Sequence, residues 1–244
     1  MEWDASIILC TVDEIDNLPI LVKRIEEIAD FRYQLVFVDD GSKDGTREFI
    51  KDYCEKHKNT KHLFSEFKRT TLVAEYVGFK NSAGKYLIKL DADLQHPPEK
   101  IKEIYRELQQ GNDIVIASRY LNANSGARRA PIRGVVSRVA QMLSLMTLRY
   151  ARKSTDPLSG YFGMISGLAL PIEEKWRGYK ILLFILSANP DARVSDVPYE
   201  FKERTKGKSK IVSGFSYVKT YLTELFLAKR IEVRIRSKMR REKS

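Results

Sequence analysis

Asp91, Asp93 and Gln95 follow one another at alternate positions directly after an apolar run, in the string YLIKLDADLQHPP (86–98). In an extended chain this alternation puts three side chains on one side. Two carboxylates and an amide oxygen suit a hard divalent cation, which takes oxygen ligands and keeps room for substrate phosphates. A polar turn after a core strand would produce the same short Asp-x-Asp, so the motif alone leaves both readings open. The elements around it narrow the choice.

Residues 86–90 read as a buried strand. His96-Pro97-Pro98 stops it, and either proline can open a helix over 99–110, with Gly111 as its C-cap. Upstream, residues 6–10 (SIILC) and 34–38 (QLVFV) read as buried strands, 61–64 as a weaker one, and 113–117 (DIVIA) as a fifth. Helical spacing falls at 17–29, from Asp44 or Thr46 to about His57, and at 72–82, where Gly84 is the expected stop. Strands alternating with helices predict a mostly parallel sheet covered on both faces. Ligands in such sheets bind beyond the carboxyl ends of the strands. Those ends carry 11–14, Asp39-Asp40, Asp91 with Asp93, and Ser118-Arg119. No Gly-x-Gly-x-x-Gly and no Walker-type loop occurs, which counts against dinucleotide oxidoreductases and P-loop enzymes. The second half predicts a helix over 132–149, a turn at 156–160, a strand over 161–165, a helix over 179–188 and an edge strand over 193–203. A last helix carries Phe215, Val218, Tyr221, Leu222, Leu225 and Phe226 at helical spacing.

The 244 residues are 43% hydrophobic, enough for a large core. Two cysteines, Cys10 and Cys54, imply no disulfide framework. Without a secretory leader or an apolar run of about 18 residues, nothing is expected to span a membrane. The net charge of +11 implies an anionic partner. More than half of that excess lies in 229–244, with eight Lys/Arg against two Asp/Glu. That tail has almost no aromatics, so a nucleic-acid surface is not expected.

In order along roughly 5–212, the chain resembles the polyprenyl-phosphate glycosyltransferases, most closely the dolichyl-phosphate mannose synthases. The matching pieces are 11–14 with Asn17-Leu18, 38–46 (VDDGSKDGT), 91–98, Ser118-Arg119-Tyr120, Arg133 with Ser137, 156–160 (DPLSG), 178–183 (GYKILL), and Arg204 with 207–210 (GKSK). The resemblance implies an inverting GT-A, Rossmann-like α/β fold over 1–212; beyond it, the apolar stripe that passes into the basic run reads as an amphipathic, basic helix over 213–244 suited to a membrane surface. It also implies a nucleotide-sugar donor, Mg2+ or Mn2+, and a dolichyl phosphate acceptor. By resemblance Asp91, Asp93 and Gln95 hold the metal and donor diphosphate, and Cys10, Val12, Glu14, Val38, Asp40 and Ala92 line the donor pocket. Arg119, Arg133 and Ser137 cradle the acceptor phosphate, and Arg204 and Lys210 clamp the diphosphate; Asp91, Asp93, Arg119, Arg204 and Lys210 form the expected catalytic set.

The chain departs from the family pattern at Cys10, Val12, Asp13, Thr70-Thr71 and Phe184. These departures bear on the donor more than on the reaction. Mannose from GDP-mannose is the expected sugar; a glucosyltransferase using UDP-glucose and an inactive sugar-nucleotide-binding membrane protein are the rivals. A phosphate is already ionised at neutral pH, so the reaction needs little or no general base. His57, His62 and His96 are accordingly read as a surface residue, a strand neighbour and a turn residue. A peripheral position on the cytoplasmic side of a membrane, with or without a membrane-spanning partner, completes the expectation.

Overall fold

β-branched and aromatic residues dominate the apolar runs, and a strand buried on both faces needs such continuous runs. The computed structural model describes residues 2–66, 69–121, 131–170, 172, 173, 176–200 and 215–242, with backbone alone for 131–134, 215 and 216. Among these residues the strands are β1 (Trp3–Thr11), β2 (Tyr33–Asp40), β3 (Thr60–Ser65), β4 (Gly84–Asp91), β5 (Ile114–Ser118), β6 (Phe162–Ile165) and β7 (Val194–Pro198). They form one sheet in the order β3-β2-β1-β4-β6-β5-β7. β6 runs antiparallel to β4 and β5, and the other pairings are parallel. The expected mostly parallel α/β fold is therefore present, with one antiparallel strand set between the fourth and fifth parallel ones.

Strand alternation sends Ile7, Leu9 and Ile88 to one face and Ile8, Val36 and Leu87 to the other. Helices α1 (Leu18–Ile28), α2 (Thr46–Lys56) and α4 (Lys100–Gln109) cover the first face; α3 (Thr71–Lys80) and α6 (Ile181–Ala188) cover the second. α3 ends before Gly84, which opens β4 instead of closing the helix. A Cβ at Gly84 would lie 2.3 Å from the backbone nitrogen of Ser6, so close contact with β1 requires glycine there.

α5 (Pro131–Thr147), a 3-10 turn at Tyr150–Lys153 and α7 (Phe215–Arg241) complete the described chain. α7 buries Tyr221, Leu225 and Ala228 in the same cluster as α6. Val218, Leu222 and Phe226 face outward. The single apolar stripe expected for this helix is thus two faces, one packed on the domain and one exposed. The expected boundary near 213 lies outside the described residues.

Candidate active site

Register brings the predicted donor residues abreast. Cys10 of β1 stands opposite Val38 of β2 on one side and Asp91 of β4 on the other. The loops beyond them are knitted by side-chain caps. Asp13 N–H donates to Ser42 Oγ at 2.8 Å, Glu14 N–H to Thr46 Oγ1 at 2.9 Å, and Asn17 Nδ2 to Glu14 at 2.8 Å. Of the two adjacent aspartates, Asp39 is structural: it takes Thr11 Oγ1 at 3.0 Å, the Gly41 and Ser42 N–H groups at 3.1 Å, and Arg47 Nε at 2.7 Å. Asp40 pairs with Arg69 Nε at 2.7 Å. Burial raises its pKa, and Arg69 pulls the other way. Val12 is half-buried, and Ala92 is buried between the two aspartates of the motif.

Asp91 ends β4 with 45% of its side chain exposed. Lys89 Nζ holds it at 2.6 Å, and its backbone N–H donates to His96 Nδ1 at 3.0 Å. Its partial burial disfavours charge, but Lys89 and His96 outweigh that and keep the carboxyl below the usual carboxylate range. Asp93 is buried and accepts the Gln95 N–H at 3.2 Å. Between them Leu94 sits at φ 61, a left-handed turn uncommon for a non-glycine residue and found where a site imposes it. His96, read from sequence as a turn residue, is an internal pin. It is buried against Tyr161 and Tyr199, and burial pushes its pKa down to about 4 against the pull of Asp91 and Asp93.

Among the described residues no group of three or more His, Cys, Asp or Glu gathers closely enough to enclose a metal. The donor set of Asp91, Asp93 and Gln95, two carboxylates and an amide oxygen, nevertheless fits the hard-oxygen chemistry of Mg2+ or Mn2+. The Asp91 carboxylate is open enough to serve.

A cationic group gathers on the 156–160 turn, whose Gly160 packs against Asp91. Arg119, just past β5, grips Asp156 in a fork, Nε to Oδ2 at 2.6 Å and Nη2 to Oδ1 at 2.7 Å. Its charge is therefore fixed and much of its hydrogen bonding goes to the 156–160 turn. Tyr120 lies against the Arg119 and Arg138 guanidinium groups and meets Ser137 Oγ of α5 at 3.3 Å, which brings Ser137 to the same edge. Lys180, at the start of α6, donates to the Leu158 carbonyl at 3.2 Å. Burial and Arg119 lower its pKa, while Glu224, Asp156 and Asp91 oppose them. The turn between the two groups packs closely: a Cβ at Gly160 would lie 3.3 Å from Lys89 Nζ and 3.4 Å from Asp91 Oδ2. Arg204, Lys210 and the Arg133 side chain lie outside the described residues.

Lys89, Glu75 and Glu224 carry no motif of their own, and His96 and Lys180 lie within matching pieces without an assigned role; sequence reading passed over all five as site residues. One signal was present: Lys89 interrupts the apolar alternation of its strand, and a buried lysine requires a partner.

Residues 6–169 match the glycosyl transferase family 2 model. The chain belongs to that family. It is 33% identical over 207 residues to the dolichol-phosphate mannosyltransferase of Pyrococcus furiosus, across 84% of this chain and 58% of that protein. It is 32% identical over 187 residues to the dolichol-phosphate mannosyltransferase of Saccharomyces cerevisiae, across 73% and 68%. The chain thus spans a little over half the length of the archaeal relative. In three dimensions it is similar to the Mycobacterium tuberculosis glucosyl-3-phosphoglycerate synthase, solved with Mn2+, UDP-glucose and phosphoglyceric acid. That likeness has a TM-score of 0.67 at 14% identity over 91% of this chain and 80% of the other, and it shows the GT-A fold of this family 2 chain.

Proposed function

We propose that this chain transfers mannose from GDP-mannose to a dolichyl or related polyprenyl phosphate, with inversion at the anomeric carbon. What supports this reading is that the 156–160 turn joins an acid and a cation at one end of the sheet: Asp156 takes the Arg119 fork, and a Cβ at Gly160 would lie 3.4 Å from Asp91 Oδ2. Both Lys180 and His96 sense charges from each group. The named activities of the two curated relatives supply the sugar and the acceptor class.

In this reading Asp91, Asp93 and Gln95 would hold a divalent cation and, through it, the donor diphosphate. The cation would neutralise charge on the departing diphosphate. Arg119, Ser137 and Arg133 orient the acceptor phosphate, and Arg204 and Lys210 clamp the donor. A lipid phosphate oxygen forms the new bond to the anomeric carbon as the bond to the nucleoside diphosphate breaks, and the leaving group takes the electron pair. The nucleophile is already ionised, so catalysis rests on alignment and charge.

The acceptor implies a membrane surface, and the outer faces of α5 and α7 suit one. Val135, Val139, Met142 and Met146 are exposed on α5, as are Leu222 and Phe226 on α7, and the basic run of α7 follows them. No described helix is long and apolar enough to cross a membrane. Interfacial attachment on the cytoplasmic side, alone or beside a membrane-spanning partner, would bring the site to its lipid. A donor panel tests the function: GDP-mannose, UDP-glucose and UDP-GlcNAc offered with a polyprenyl phosphate, with Mn2+ or with EDTA. Transfer from GDP-mannose that EDTA abolishes supports the reading. Preference for a UDP-sugar, or no transfer to lipid phosphate, overturns it.

A further inference from the structure

Lys89 occupies a position that strand alternation assigns to the apolar face. Leu87, two residues before it, is part of the core under α3 and α6. Lys89 is 1% exposed, and its Nζ lies 2.6 Å from Glu75 Oε1 and 2.6 Å from Asp91 Oδ1. Glu75 reaches it from α3 and is itself 2% exposed; its second oxygen has no hydrogen-bond partner among the described residues. A buried ion pair is seldom more stabilising than apolar residues of the same volume. Stability alone is therefore a poor reason to keep an ammonium here, and its placement under Asp91 supplies a better one.

Lys89 is too deeply buried to touch a donor or an acceptor. It acts through Asp91, and is thus a positioning residue. A fixed positive charge against one carboxylate has two opposite effects at the open side of that carboxylate: it disfavours an approaching cation and favours an approaching anion. We propose that Lys89, anchored by Glu75, takes up part of the Asp91 charge, so that the site binds a divalent cation weakly by itself and accepts a nucleoside diphosphate more readily than bare aspartates would. This rests on the metal and donor assignment of the proposed function and adds a device to it. Cation and diphosphate then enter largely as one complex, since neither binds tightly without the other.

The test measures the two ligands separately on the purified full chain, Mn2+ by electron paramagnetic resonance titration and GDP or UDP by calorimetry in EDTA. Lys89→Met combined with Glu75→Gln removes the internal cation without leaving a buried charge unpaired. Its Mn2+ dissociation constant should fall about fivefold and its metal-free diphosphate constant should rise about fivefold. Glu75→Gln alone leaves the lysine with Asp91 as its one anionic partner, and both shifts should reverse. If the double variant does not fold, the single variant still carries the sign. Weakening of both ligands together would mean that the pair only supports the fold, and unchanged constants would mean that it does not reach the site; either result overturns the proposal. Asp93→Asn in the wild-type background is the control for the assignment beneath it. Mn2+ binding that survives Asp93→Asn removes the metal site itself, and the proposal with it.

Discussion

Glu224 of α7 accepts the backbone N–H of Lys180 at 2.7 Å, and through the same Oε1 that of Tyr179 at 2.6 Å. A carboxylate from the last helix thus caps the start of α6, the helix end that presents the Lys180 ammonium to Asp91, Arg119 and Asp156. A second carboxylate on the same face, Glu232, takes the N–H groups of Arg149 and Tyr150 at 3.1 and 2.9 Å. α7 is therefore a structural member of the site's supporting frame.

Stability that depends on this cap should fall as the pH rises. Burial raises the Glu224 pKa to about 7; the two N–H groups and Lys180 oppose the rise, and Glu75 adds to it. Tyr221 is the other titratable neighbour on its own helix. The folded value lies above the ordinary 4.5, so the folded protein binds the extra proton. The associated stability is complete below about pH 4.5 and is lost as the pH rises through 7. Glu224→Gln keeps an oxygen for the two N–H groups and cannot ionise. Between pH 5 and pH 8 the wild type should lose stability relative to this variant by up to about 3 kcal/mol, read from urea midpoints. Parallel profiles would rule Glu224 out as the titrating group.

Arg119 and Asp156 form a buried forked pair, so removing one partner strands the other. Asp156→Ala should cost about 3–5 kcal/mol in a denaturant melt. Arg119→Lys keeps the charge but loses the fork, so it should cost less stability and raise the lipid phosphate KM more than the donor KM. Equal effects on the two substrates would place Arg119 in a purely structural role.

For Asp91→Ala and Asp93→Ala the expected outcome is loss of transfer with the melting temperature nearly unchanged. Lys89 keeps Glu75 as a partner when Asp91 is removed, so that variant leaves no stranded lysine. Full transfer by either variant in the presence of EDTA would contradict the metal assignment.

Attachment to a bilayer is best tested by point changes, because truncation at 228 would also delete Glu232 and its two backbone contacts. Met146→Glu with Phe226→Glu should abolish flotation with anionic liposomes while the fold persists. Neutralising several Lys/Arg of 229–241 should weaken flotation at low salt by about 1 kcal/mol per residue. Unchanged flotation in both sets would locate the contact elsewhere.

The sheet, its strand ends and the acids upon them were legible because they depend on local pattern: apolar runs, alternation and short motifs. The insertion of β6 between β4 and β5 was not, since a four-residue strand pairs by tertiary context and carries no mark of its direction. The same limit explains the site residues that were passed over. Glu75 and Glu224 lie on helices where a charged residue normally reads as a solvated face, and Lys180 directly precedes one; only the packing of α3, α6 and α7 turns them inward. His96 looked like a turn residue because its burial depends on Tyr161 and Tyr199, both distant in sequence.

β6 also fixes a length. It separates β4 from β5, so Asp91 and Ser118 end strands that are two steps apart, roughly 10 Å at the usual strand spacing. Direct pairing of β4 with β5 would halve that interval and bring Arg119 against Asp91 and Asp93, closing the room that the proposed function gives to two phosphate groups. The short reversed strand is thus a gauge for the gap that a transferred sugar has to cross, and its span is set by backbone hydrogen bonding, which no side-chain substitution at the strand ends can change.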